Sequence, residues 1–304
     1  MRRLALYIMA ACAIGATAQD WGLRWIACPT AGEADQVWFR RTFTIDGRPP
    51  SARLTIASAG RFELYVNGYN ATTDVIAPGA APQCDTIRVM TFEVGRFLRA
   101  DTNVVAVWYS PAGRSRKQLA MTLSGGSGDS DRVALSTDGQ WLCRPANATT
   151  TPEGDETIDD RHYIDYWNTD GGPTVGWVPA EEQEGLAPSP IALVPPIHKA
   201  MRIRRISRYT FLDDLGSTVV YHFARRFDGW VRVTLRGMSR GDTLTVNGLT
   251  YVCSGRSDEQ ACRRFTTSAS SMAVVSGPEG FSRDNVTDIE AIDIEEYTHT
   301  SYLY

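Results

Sequence analysis

The densest run of side chains able to do chemistry lies between Glu153 and Asp170. Glu153, Asp155, Glu156, Asp159 and Asp160 are followed there by Arg161, His162, Asp165, Trp167 and Asp170. Carboxylates this close together, carried on a loop, can collect the roughly six to eight oxygen ligands that a calcium ion takes. Asp155, Glu156, Asp159 and Asp160 are the candidate metal ligands. The alternative for the same residues is a solvated acidic loop in which Arg161 pairs with Asp159 or Glu156. Hydrolysis of a glycosidic bond would ask for something else, an acid and a base or nucleophile roughly 5–10 Å apart. If the chain is catalytic, Glu156 and Asp159 are the candidates.

Sugar recognition needs a flat aromatic face for the apolar side of the ring and planar polar groups for its hydroxyls. Trp167 and Trp177 flank the polar, glycine-rich segment Asn168-Thr169-Asp170-Gly171-Gly172-Pro173, a composition suited to a binding loop. Trp167 is the expected stacking platform, with Trp177, Arg161 and Asp170 completing the carbohydrate-binding set. Trp38, Trp108, Trp141 and Trp230 fall inside strand patterns and read as core. The four histidines show no metal-binding spacing, and His222, on an alternating strand, reads as a structural histidine. Gly125-Gly126-Ser127-Gly128 lacks the Lys-Thr/Ser of a phosphate-binding loop.

Six cysteines are present. Cys253 and Cys262 enclose a polar insertion between two strand-like segments, and closing so short a loop would stabilise the fold by roughly 2–3 kcal/mol on the chain-entropy account. That pair is the expected disulfide. Cys28, Cys84 and Cys143 leave one thiol over, and spacing alone does not choose among their pairings. Disulfides require an oxidising compartment, and the N-terminus supplies the address. Met1-Arg2-Arg3, the apolar run Leu4 to Ile14, and Ala16-Thr17-Ala18 have the charged, apolar and small-residue parts of a secretory signal over residues 1–18. The expected location is periplasmic or extracellular. Met9-Ala10-Ala11-Cys12 offers lipoprotein anchoring at Cys12 as the alternative. The apolar run is too short for a permanent span, and no other stretch qualifies.

The elements that must position these groups are strands. Short alternating runs rich in Val, Ile, Thr and aromatic residues are punctuated by Gly, Pro, Asn and Asp. Val37 to Ile45 alternates with one apolar face and another carrying Arg and Thr; Ser51 to Ala57 and Asn103 to Trp108 follow. Asn67-Gly68 and Asn247-Gly248 are two-residue hairpin signals, since both turn positions need positive φ. The Pro-rich segment from Ala187 to Pro196 is a stiff connector that suits neither a helix nor a central strand. The reading is all-β: two tandem β-sandwich domains, 19–190 and 191–304, the first a jelly-roll. The net charge of −4 is scattered, with no basic stripe for nucleic acid.

Several segments then resemble, in order, the accessory sandwiches of bacterial α-L-rhamnosidases. The W-F-R-R-x-F strand at Trp38, the E-L-Y-V-N-G hairpin at Glu63 and the N-V-V-A-V strand at Asn103 are similar to that family's galactose-binding-like jelly-roll. Ser136 to Trp141 is similar to its S-x-x-x-W segment, Gly154 to Arg161 to its G-E-x-Y-D-A-R motif, and Trp177 to Ala180 to its W-x-x-A strand. In the second half, Val219 to Val233 resembles the D-F-G-x-N-x-x-G-W-V-R signature with His222, Ala224 and Arg226 in place of Asp, Gly and Asn.

The resemblance covers most of the chain and ends before the family's helical catalytic toroid. It implies a glycan ligand, rhamnose-containing glycans first among them, and raises calcium as a cofactor, because some sandwiches of this family hold rhamnose through that ion. Recognition without hydrolysis is therefore the expected activity. The alternatives are an α-L-rhamnosidase-like hydrolase, an accessory subunit of a catalytic glycosidase partner, and a structural surface protein. The aromatic tail with Tyr297, Tyr302 and Tyr304 is expected to dock on a sheet as a natural C-terminus.

Overall fold

A computed structural model of the chain describes residues 24–79, 87–111, 118–126, 128, 131–183, 191–193 and 200–297. The expected leader, Cys12, Cys84 and the last tyrosines lie outside the described residues. Strands dominate, and the helical turns among the described residues are three of 3-10 type, at Gly95–Phe97, Asp160–His162 and Arg283–Asn285. No helix among these residues is long and apolar enough to cross a membrane.

Two sheets build the first sandwich. One runs in the order Glu181–Gln183, Trp25–Ala27, Gln118–Gly125, Ala52–Ser58, Ile87–Glu93, Ile191–Leu193, with Val133–Ser136 beside Gln118–Gly125. The other contains Leu142–Thr150, Asp35–Ile45, Asp101–Ser110, Arg61–Val66 and Tyr69–Asn70, in that order. Because side chains alternate across a strand, Leu54, Ile56, Phe92 and Met121 of the first sheet meet Val37, Phe39, Leu64, Val105 and Val107 of the second in one core. Both expected hairpins form. Asn67 and Gly68 turn with φ of 52° and 83°, Asn247 and Gly248 with 45° and 79°, and each turn joins directly paired strand ends, Val66 to Tyr69 and Val246 to Leu249.

The second sheet does not stop at the edge of the first sandwich. Glu156–Asp159 pairs with Leu142–Thr150 on one side and runs parallel to Leu249–Val252 on the other. Through that contact the sheet continues into the strands of the second half. Its back face is covered as well: Trp38, Val104, Ala106 and Trp108 join Val219, Tyr221, Val233, Leu244 and Val275 in a second core. The strand Asp35–Ile45 was expected to show a polar outer face, yet Trp38 and Arg40 are buried on it. Two sandwiches thus share one continuous sheet. The connector also contributes: Ile191–Leu193 pairs in parallel with Ile87–Val89, so pairing in the first sandwich reaches past the expected break at residue 190.

Candidate functional site

Strand geometry decides what the acidic cluster can do. Glu156–Asp159 is a strand rather than a loop, so residues 156 and 159, an odd number apart, project to opposite faces. Glu156 turns inward, 1% exposed, and accepts the backbone N–H groups of Arg264 at 2.7 Å and Phe265 at 2.8 Å. Burial pushes this carboxyl up, against the two amides that favour its ionised form. Asp159 faces Arg161, whose Nε and Nη2 donate to it at 2.9 and 2.7 Å, and this bonding holds its pKa down. Asp155 is exposed with Arg263 Nη2 at 3.6 Å, and Asp160 begins a 3-10 turn. These four carboxylates do not converge as a calcium shell. No group of three or more His, Cys, Asp or Glu among the described residues is placed to hold a metal ion. Both candidate carboxylates have protein partners, Glu156 the two amides and Asp159 the Arg161 guanidinium.

Trp167 corrects the second expectation. It is 1% exposed because the polar segment folds back over the shared sheet and inserts the indole between two others. Trp38 stacks on it at 5.1 Å and Trp177 at 6.5 Å, while Tyr65 and Trp108 meet it edge-on. Arg40 extends the pile, its guanidinium 5.4 Å from the Trp177 ring and donating to Thr169 O. A sugar cannot reach Trp167. Trp177 is half-buried in the same pile, Asp170 lies near Arg99 at the surface with N···O 3.8 Å, and Arg161 is committed to Asp159. The structure therefore brings Trp167 and Trp177 together as core and places Arg161 elsewhere.

The disulfide expectation also changes. Cys253 and Cys262 are both free thiols. The segment between them is not a simple loop: Asp258–Cys262 is a strand paired to Arg232–Arg236. Cys253 joins the second core, whereas Cys262 packs beside Trp230 and Ile292 in a separate cluster. His222 behaves as expected, with Nε2 2.9 Å from Asp213 Oδ2 and its ring stacked on Phe211.

Where the two sandwiches meet, a cleft of about 570 Å³ opens. The first sandwich contributes Glu63, Trp108 and Asn147, with Asp160 and Tyr163 from the turn beyond Glu156–Asp159; the second contributes Trp230, Gln260, Arg263 and Arg264. Arg264 lies with its guanidinium 4.0 Å from the Trp108 ring centre and donates to Glu63 Oε2 at 2.6 Å. Tyr65 donates its hydroxyl to the same carboxylate; burial and Glu63 push the phenol up and keep it protonated. Two buried atoms of cleft residues have no protein partner, Asn147 Oδ1 and Arg263 Nε, although Asn147 Nδ2 donates to Asp159 O and Arg263 Nη1 to Gly154 O and Thr266. Aromatic rings, planar amides and guanidinium groups at one opening are the equipment of a polyol site. Sequence reasoning missed it because its parts come from both halves of the chain: Glu63 and Arg264 are 201 residues apart.

Comparison with known proteins places this architecture. An α-L-rhamnosidase of Formosa agariphila is 22% identical over 258 residues, covering 75% of this chain and 27% of that protein. The α-L-rhamnosidase of Dictyoglumus thermophilum superposes with a TM-score of 0.75 at 19% identity, over 92% of this chain and 36% of that one. The Streptomyces avermitilis α-L-rhamnosidase complexed with L-rhamnose superposes with a TM-score of 0.72 at 16% identity, over 87% and 29%. The chain spans about a quarter to a third of the length of these relatives. The α-L-rhamnosidase N-terminal domain model matches residues 47–205, more than half of the sequence, and the chain belongs to that family.

Proposed function

We propose that this chain is an exported carbohydrate-recognition protein that binds glycan, rhamnose-containing glycan first among the candidates, in the cleft between its two sandwiches, without hydrolysing it. The observation that carries the reading is the cleft itself. Its lining sets the Gln260 amide and the Asp160 carboxylate at one opening, and a sugar hydroxyl can both donate and accept there. Tyr163, half-buried at the mouth of the cleft, gives the apolar side of a ring something to lie against. The choice of rhamnose rests on family membership and on the L-rhamnose complex of the Streptomyces relative. Binding rather than hydrolysis is supported by the engagement of Glu156 and Asp159 described above. A second reading, an accessory part working with a catalytic glycosidase unit, is favoured by the chain's span of 27% of its Formosa relative.

The test is glycan-array screening followed by calorimetry on wild type, Gln260→Ala and Arg264→Ala, with an aryl rhamnoside assay alongside. Removing the Gln260 amide, the exposed planar group the cleft offers a hydroxyl, should weaken binding by about 0.5–1.5 kcal/mol. Losing Arg264, and with it the packing over Trp108, should cost about 1–3 kcal/mol. Equal affinity in all three proteins moves the site out of the cleft. Rhamnose release abolished by Asp160→Asn or Glu63→Gln would replace recognition with hydrolysis.

A further inference from the structure

Cys28 and Cys143 sit far apart in sequence but at one corner of the first sandwich. Cys28 directly follows the strand Trp25–Ala27 of the first sheet, and Cys143 lies in Leu142–Thr150 of the second. A single stretch of chain ties the two places together. Val178 pairs with Cys143, Ala180 N donates to Trp141 O, and Glu181 pairs with Ala27 as the segment crosses from one sheet to the other. Both cysteines belong to the first core with Ala180. Both are free thiols, and the two are hydrogen-bonding neighbours.

We infer that Cys28 and Cys143 are a disulfide-forming pair that fastens the two sheets of the first sandwich to each other. The chemistry needs an oxidant, and the class that fits is a disulfide, RS–SR, small or protein-borne. Cys28 is the entry point, being 8% exposed where Cys143 is 0%. The hydrogen bond from Cys143 is the largest influence drawing the Cys28 thiol below its ordinary range, and Thr30, with Oγ1 at 3.4 Å from Sγ, adds to it; a thiolate is the nucleophile in such exchange. Cys28 Sγ attacks RS–SR, forming Cys28–S–SR and expelling RS⁻. Cys143 then gives up its proton, its sulfur attacks Cys28 Sγ, and the second RS⁻ leaves. Two cysteine thiols are oxidised by two electrons, RS–SR is reduced to two RSH, and the two cysteine protons end on those thiols.

The bridge would close a loop of roughly a hundred residues, the range in which restricting the unfolded chain has its largest effect. It would join the two sheets directly, at the corner where the segment Val178 to Glu181 crosses between them. The pairing differs from the short-range one suggested by Cys253 and Cys262, whose thiols belong to different clusters.

The test uses the full chain, treated with oxidised glutathione or with dithiothreitol, then unfolded, alkylated and mass-mapped. The oxidised sample should yield one cross-linked peptide pair containing Cys28 and Cys143, lighter by two hydrogens than the reduced pair. It should melt about 5–10 °C above the reduced sample, and Cys143→Ala should erase that difference. Cys28 and Cys143 both alkylated in the oxidised, unfolded protein would overturn the inference, as would a cross-link of either one to Cys84. The mapping is read on the unmutated chain, so it decides the pairing even where the variant fails to fold.

Discussion

Trp167→Ala separates the two roles a tryptophan in a polar, glycine-rich segment can have. An exposed platform would lose ligand affinity and little else. The observed indole is 1% exposed and lies within a pile of Trp38, Trp177, Trp108 and Tyr65, so truncation removes a buried aromatic side chain and leaves a cavity. Such substitutions cost about 3–5 kcal/mol. The stacked pairs with Trp38 and Trp177 push toward the upper end, since each aromatic pair adds about 0.5–1.5 kcal/mol beyond its buried area.

At roughly 2–4 °C per kcal/mol for a chain of this size class, the melting temperature should fall by about 10 °C or more. The assay is urea unfolding followed by tryptophan fluorescence, with Trp167→Phe as the partial replacement that should recover a good part of the loss. Glycan affinity, measured on the fraction that remains folded, should stay within a few-fold of wild type. A variant that keeps wild-type stability to within about 1 kcal/mol and loses binding would refute the burial argument and restore Trp167 as a platform.

Much of the fold was legible because it depends on local rules. Asn67-Gly68 and Asn247-Gly248 specify their turns through positive φ, and alternation from Arg61 to Val66 produced the strand it implied. The signal for two-sided burial was also present. Val37-Trp38-Phe39 and the run Val104 to Trp108 are apolar at successive positions, a pattern of strands covered on both faces, and both strands are so covered. The candidate residues were less legible for the same reason. Reading Glu153 to Asp170 as one loop pooled carboxylates that a short strand separates, though the alternation in Glu156-Thr157-Ile158-Asp159 carried that information. Trp167 was misplaced because its immediate neighbours are polar, while its partners Trp38 and Trp108 lie on the back of a sheet far earlier in the chain. The cleft had no local signature at all, since it exists only after Glu156–Asp159 and Leu249–Val252 align and bring Arg264 over Trp108.

Two further outcomes follow from the acidic strand. Glu156→Gln replaces an acceptor-only group facing the amides of Arg264 and Phe265 with one that turns a donor toward one of them; stability in urea should drop by about 1–3 kcal/mol. A loss below about 0.5 kcal/mol would mean that the carboxylate is not what ties the two sandwiches at that point. Asp159→Asn concerns pH. The Asp159 carboxyl is held below its ordinary range by Arg161, and a depressed folded-state pKa contributes stability that is present above the unfolded value of about 3.9 and lost as pH falls through the folded value. Wild type should therefore melt above the variant near pH 6, and the gap should close as pH falls from about 4 toward 2. Because the Arg161 partner is solvent-exposed, the gap should be small and should shrink further in 1 M salt. A gap that does not narrow as the pH falls, or one indifferent to salt, would show that Asp159 acts through something other than its charge.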